Sequence, residues 1–117
     1  MAMTPEKKVK QTIANILKEI GAYYFFPATG GYGRSGVPDI VGCYKGKFFG
    51  IECKAGKNTT TALQELELEK IKKSGGVAMV LNENNLGLVV EALNPHLHPD
   101  FNEGFTRDYT KLPTDYT

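Results

Sequence analysis

The stretch Gly36-Val37-Pro38-Asp39-Ile40-Val41-Gly42-Cys43-Tyr44-Lys45-Gly46-Lys47-Phe48-Phe49-Gly50-Ile51-Glu52-Cys53-Lys54 decides the fold. It reads as two strands joined by a two-residue turn at Lys45-Gly46, with Gly46 at a position that needs φ > 0. With that turn, Tyr44 faces Lys47, and counting outward along both strands sets Asp39 opposite Glu52. Strand alternation then puts Asp39, Val41 and Cys43 on one face with Phe48, Gly50, Glu52 and Lys54. Ile40, Ile51 and Cys53 point to the other face.

Carboxylates opposed across an antiparallel pair have Cβ atoms roughly 4.5–5.5 Å apart, and like charges so placed destabilise the sheet. A hard divalent cation between them reverses the sign, since Mg²⁺ takes carboxylate oxygens and keeps several waters. Lys54 shares the face of Glu52, where an amine can orient a water or neutralise charge on a phosphate. The competing reading is a solvated strand end with scattered charges; the joint register of all three residues favours the metal site.

With 117 residues the chain is long enough for one modest core, and 41% hydrophobic and 23% charged residues are ordinary for a soluble globular protein. No apolar run approaches the roughly 18–20 residues of a membrane span, and no signal-peptide core is present, so neither a membrane nor secretion is expected. Two cysteines on opposite faces of the hairpin should not pair, which fits a reducing cytoplasm. A net charge of +1 means that phosphate affinity must come from local charge and a metal. No motif for an organic cofactor occurs.

Thr4-Pro5-Glu6 opens a helix, with Thr4 as cap and Pro5 at the first turn; Val9, Ile13, Ile16, Leu17 and Ile20 form its stripe and Gly21 closes it. Glu6 falls within that stripe, and is either a first-turn acid facing the helix dipole or a group aimed over the sheet. Lys7, Lys8 and Lys10 are a solvated face or meet a phosphate backbone. Ala22 to Phe26 reads as a strand ended by Pro27, followed by a glycine-rich loop that is either a flexible connection or a substrate-contacting segment, in which Tyr32, Arg34 and Ser35 are candidate contacts to phosphate and base or sugar. Lys57, in the turn after Lys54, is another. Thr61 and Gln64 fit a capping box on a helix running to about Lys73. Gln64 also falls in step with Leu68 and Ile71, on the inward face. Gly76 to Leu81 reads as a strand covered on both faces, and Leu86 to Leu93 as a helix capped by Asn84 or Asn85. These elements make residues 1–93 one domain; residues 94–117 read as a tail packing on it or on a partner subunit, with His96 and His98 ordinary surface residues.

Pro38-Asp39 followed by Glu52-Cys53-Lys54 resembles the PD-(D/E)xK nuclease signature. More narrowly, Gly36-Val37-Pro38-Asp39, Ile51-Glu52-Cys53-Lys54, a helix carrying Gln64 and then Gly75-Gly76 before a strand resemble the VRR-NUC (virus-type replication-repair nuclease) family, from about Glu6 to about Leu81. The resemblance implies an α/β, restriction-endonuclease-like core: a mixed β-sheet flanked by helices. It implies phosphodiester hydrolysis with Mg²⁺ or Mn²⁺ held by Asp39, Glu52 and the backbone carbonyl of Cys53. Lys54 would be catalytic, Gln64 would sit beside it, and Glu6 would support a water. Stand-alone members are similar to Holliday-junction resolvases, so branched DNA and a homodimer are expected, in a bacterial cytoplasm and of phage origin. A flap or nicking nuclease, or a non-catalytic DNA-binding subunit of the same fold, are the alternatives.

Overall fold

The computed structural model describes residues 3–28 and 35–93; Tyr32, Arg34, His96, His98 and the 94–117 tail lie outside the described residues. Helix α1 spans Pro5–Ile20, with the Thr4 hydroxyl accepting the Lys7 N–H at 3.2 Å and Gly21 closing the helix at φ 86°. The Ala22 N–H is drawn back to the Leu17 carbonyl at 2.9 Å, which keeps Ala22 out of strand β1; the strand covers Tyr23–Phe25, shorter at both ends than Ala22 to Phe26. Strands β2 (Ile40–Tyr44) and β3 (Lys47–Cys53) form the expected hairpin, followed by α2 (Ala62–Lys73), β4 (Val77–Leu81) and α3 (Leu88–Leu93).

The strands lie in the order β1-β2-β3-β4, antiparallel except for the parallel pair β3–β4, which α2 connects. This is the mixed, helix-flanked sheet of a restriction-endonuclease-like fold. One sheet face presents Ile40, Phe49, Ile51, Cys53 and Leu81 to Val9, Ile13 and Leu17 of α1 and to Val89 and Leu93 of α3, all buried. On the opposite face α2 lies so close that a Cβ on Gly50 would stand 2.5 Å from Ile71 Cδ1. The two cysteines are free, Cys43 exposed and Cys53 buried, as their alternation requires.

Two expectations need correction. Strand β4 is covered only in part: α3 packs on one face and α2 on the other, but it lies at the edge of the sheet among the described residues and Val80 is 39% exposed. Helix α3 starts at Leu88, and neither Asn84 nor Asn85 caps it with its side chain. The Asn85 carboxamide oxygen instead accepts the Asn82 N–H at 2.7 Å, and the Asn82 oxygen accepts the Asn84 N–H at 2.8 Å. Local side-chain-to-backbone bonds of this kind compete with capping.

Gly42 is the tightest point between β1 and β2, since a Cβ there would run into the Tyr23 carbonyl oxygen and stand 2.6 Å from Phe49 Cζ. Backbone yields less readily than a side-chain tip. Gly42→Ala should therefore cost about 1–3 kcal/mol in urea unfolding, and more than Gly50→Ala, whose nearest neighbour is the mobile end of Ile71. Equal losses would contradict this packing.

Candidate active site

The pairs Tyr44↔Lys47 and Ile40↔Ile51 fix the hairpin register, so Asp39 lies one step beyond the last pair, level with Glu52. The Asp39 carboxylate is tied down from β3 itself: its Oδ2 accepts the Cys53 N–H at 2.8 Å. The site is therefore built across the two strands at the end of the sheet remote from the turn.

Glu52 is only 3% exposed. Its Oε2 accepts from Gln64 Nε2 at 3.2 Å and faces the Lys54 ammonium at 3.6 Å, while its Oε1 is buried with no hydrogen-bond partner. Burial, then the Asp39 carboxylate beside it, both as a like charge and as a hydrogen-bond partner for the protonated form, push the Glu52 carboxyl up to about 8; Lys54 pulls the other way, and Glu6 adds a weaker upward push. An ionised Glu52 thus lacks enough positive charge around it. Burial likewise pushes the Cys53 thiol up, which leaves it inert.

Gln64 answers both readings made from the sequence. Its Oε1 accepts the Thr61 N–H at 2.9 Å and its backbone N–H donates to the Thr61 hydroxyl at 3.2 Å, completing the capping box. The remaining amide group turns to Glu52, the carboxylate that Lys54 also faces. Glu6 is exposed in the first turn of α1, close enough for its charge to act on Glu52. Lys10 stands over the Phe26 ring, 4.7 Å from its centroid. Lys7, Lys57 and Ser35 are exposed.

One contributor escaped sequence reasoning. Both oxygens of Glu83 accept the Gly56 N–H, at 2.9 and 3.3 Å, while the Lys54 N–H donates to the Leu81 carbonyl at 2.9 Å. The segment carrying Lys54 is thereby held on both sides by the strand end and turn at β4. Nothing local in the sequence signals a contact between residues so far apart in the chain.

The donor set suits a hard divalent cation. The partnerless Glu52 Oε1, its raised pKa and the neighbouring Asp39 all call for positive charge. Among the described residues no group of three or more His, Cys, Asp or Glu could hold a metal, so a cation here would have to rely on two carboxylates, backbone oxygen and water.

A family model described as archaeal Holliday junction resolvase (Hjc) matches residues 6–86, the stretch that holds the whole site. The chain belongs to that family. It is also 30% identical over 97 residues to a protein of Acyrthosiphon pisum secondary endosymbiont phage 1 named "Putative nuclease p44", a match covering 80% of this chain and all of the phage protein. The chain is thus a structure-specific, Holliday-junction resolvase-like nuclease of the PD-(D/E)xK type; such nucleases are metal-dependent in general. No helix among the described residues is long and apolar enough to cross a membrane.

The raised Glu52 pKa fixes a sign. The native state of the metal-free resolvase prefers protonated Glu52, so this group's contribution to stability is intact below the ordinary 4.5 and is lost as pH rises through about 8. In EDTA, Glu52→Gln should raise the Tm by several degrees at pH 9 and much less at pH 5. A pH-independent difference would contradict the assignment.

Proposed function

We propose that this resolvase-family chain acts as a homodimer on four-way DNA junctions, and that Asp39, Glu52 and the backbone carbonyl of Cys53 hold Mg²⁺ or Mn²⁺. The reading rests above all on Glu52, buried beside Asp39 with one oxygen unpartnered and Lys54 alongside. A divalent cation in this place supplies Lewis acidity, lowering the pKa of a water and offsetting charge at the scissile phosphate.

The chain's own residues do the rest. Asp39 is pinned through the Cys53 N–H, so its free oxygen is oriented before any ligand arrives. Gln64 fixes the Glu52 carboxylate by one hydrogen bond. Lys54, largely buried and held at its backbone, places its ammonium where it orients a water or takes up charge on the phosphoryl oxygens. Glu6, exposed and near enough for its charge to act on Glu52, orients solvent. Ser35, Lys7, Lys10 and Lys57, together with Tyr32 and Arg34, meet the DNA backbone.

The finer kinship with the VRR-NUC branch rests on Gly36 to Asp39, Ile51 to Lys54, Gln64 and Gly75-Gly76. A domain of one small sheet reaches few base pairs, and a homodimer lengthens the footprint and brings two sites to paired strands. The similarity to a phage protein supports action in the cytoplasm of a bacterial host.

Labelled four-way junction, flap and linear duplex, each with Mg²⁺, Mn²⁺ or EDTA, test this reading. Cleavage of the junction should require metal and exceed cleavage of linear duplex. Equal cleavage of linear duplex speaks against a resolvase, preference for the flap gives the chain to flap processing, and binding without cleavage in either metal makes it a non-catalytic subunit. Asp39→Ala should abolish cleavage with the fold intact. Lys54→Ala should reduce kcat by about 10²–10⁴-fold while metal affinity changes little, and parallel loss of both would remove Lys54 from the chemistry.

A further inference from the structure

Lys54 is the first residue past strand β3, so its side chain is aimed by whatever holds the chain on either side of it. On one side, its own N–H donates to the Leu81 carbonyl at 2.9 Å. On the other, the chain turns through Ala55 and Gly56, where Gly56 takes φ 60° and the Asn58 N–H returns to the Ala55 carbonyl at 3.2 Å. Gly56, Lys57 and Asn58 are exposed, so packing does little to hold this turn. Glu83 holds it instead: both of its oxygens accept the Gly56 N–H, at 2.9 and 3.3 Å. Hydrogen bonds to an ionised carboxylate are roughly twice as strong as those between neutral groups.

Glu83 is itself mounted. It belongs to Asn82-Glu83-Asn84-Asn85, and the flanking asparagines bond within that turn. Asn85 Oδ1 accepts the Asn82 N–H, the Asn82 side-chain oxygen accepts the Asn84 N–H, and the Asn85 N–H donates to the Asn82 carbonyl at 3.3 Å. These bonds fix the backbone before and after residue 83. Helix α2, by contrast, is anchored without Glu83. The Thr61–Gln64 capping box closes its first turn, and Ile71 packs on Gly50 near its end. Gln64 therefore keeps its place beside Glu52 whatever happens at Gly56, whereas Lys54 does not.

We propose that Glu83 is a positioning residue for Lys54. Through the Gly56 N–H it fixes the turn that follows Lys54, and so holds the ammonium in place 3.6 Å from Glu52 Oε2. The inference rests on the part given to Lys54 in the proposed function, and it brings the end of β4 into the reaction without contact with any reacting atom. Misplacing a catalytic group by about 1 Å can cost about 10²-fold in rate.

Glu83→Ala and Glu83→Gln remove the same charge, but only the glutamine keeps an oxygen that can accept the Gly56 N–H. The difference between the two variants isolates that bond. Single-turnover cleavage of four-way junction, at saturating DNA and metal, should slow about 10–100-fold in Glu83→Ala and recover most of its rate in Glu83→Gln. Junction affinity and the metal midpoint should match wild type in both. In NMR relaxation of the metal-free protein, Glu83→Ala should loosen the backbone of Lys54 and Ala55 and leave the first turn of α2 rigid. Equal slowing in both variants traces the effect to charge, a wild-type rate in Glu83→Ala makes the contact idle, and parallel loss of affinity or loosening of α2 makes Glu83 a general support. Each of these overturns the inference. If the wild type cleaves no junction in either metal, the proposed function fails and the relaxation data alone decide. Lys54 loosened in Glu83→Ala but not in Glu83→Gln then upholds the positioning, and no change overturns it.

Discussion

Lys45 and Gly46, both with positive φ (48° and 85°), set the phase of the pairing between β2 and β3. Such a turn matches the natural twist of the flanking strands, and the left-handed conformation at Lys45 costs roughly 1–2 kcal/mol. A slip of one residue would send every side chain of one strand to the opposite face. Asp39 would then leave Glu52, and the apolar row of Ile40 would leave the face it shares with Ile51. The core and the site therefore depend on the same turn, and burial of the apolar row holds the acids together against their repulsion.

The two faces of the sheet are put to different uses. Helices α1 and α3 seal one of them with a continuous apolar layer. Helix α2 covers only part of the other, lying close over Gly50 near its C-terminal end and offering Gln64 to Glu52 at its start. Glu52 is thus buried against a helix that supplies it with a single amide. The uncovered remainder leaves Phe25 and Phe48 nearly half exposed.

What the sequence made legible was what local chemistry decides. The Thr4 and Thr61 caps, the Gly21 stop and the Lys45-Gly46 turn are each written in two or three adjacent residues, and the hairpin register that places Asp39, Glu52 and Lys54 follows from counting. What stayed hidden depends on tertiary placement. An apolar run such as Val77 to Leu81 does not say how completely each of its faces is covered, and Val80 remains 39% exposed. Asn85 has a cap's chemistry but spends it on the Asn82 N–H at 2.7 Å. Glu83 reached Gly56 across the fold without a local signal.

Position 64 carries a restriction that helix formation alone would not impose. At the third residue of a capping box, glutamine and glutamate serve the helix alike. Here the oxygen of the amide is committed to Thr61, so the nitrogen is the end that must approach Glu52. A glutamate would offer the cap the same oxygen and then set a third negative charge against an acid already short of countercharge. Two residues that are synonyms in the grammar of helices become antonyms at this address, and the strand next door makes the choice.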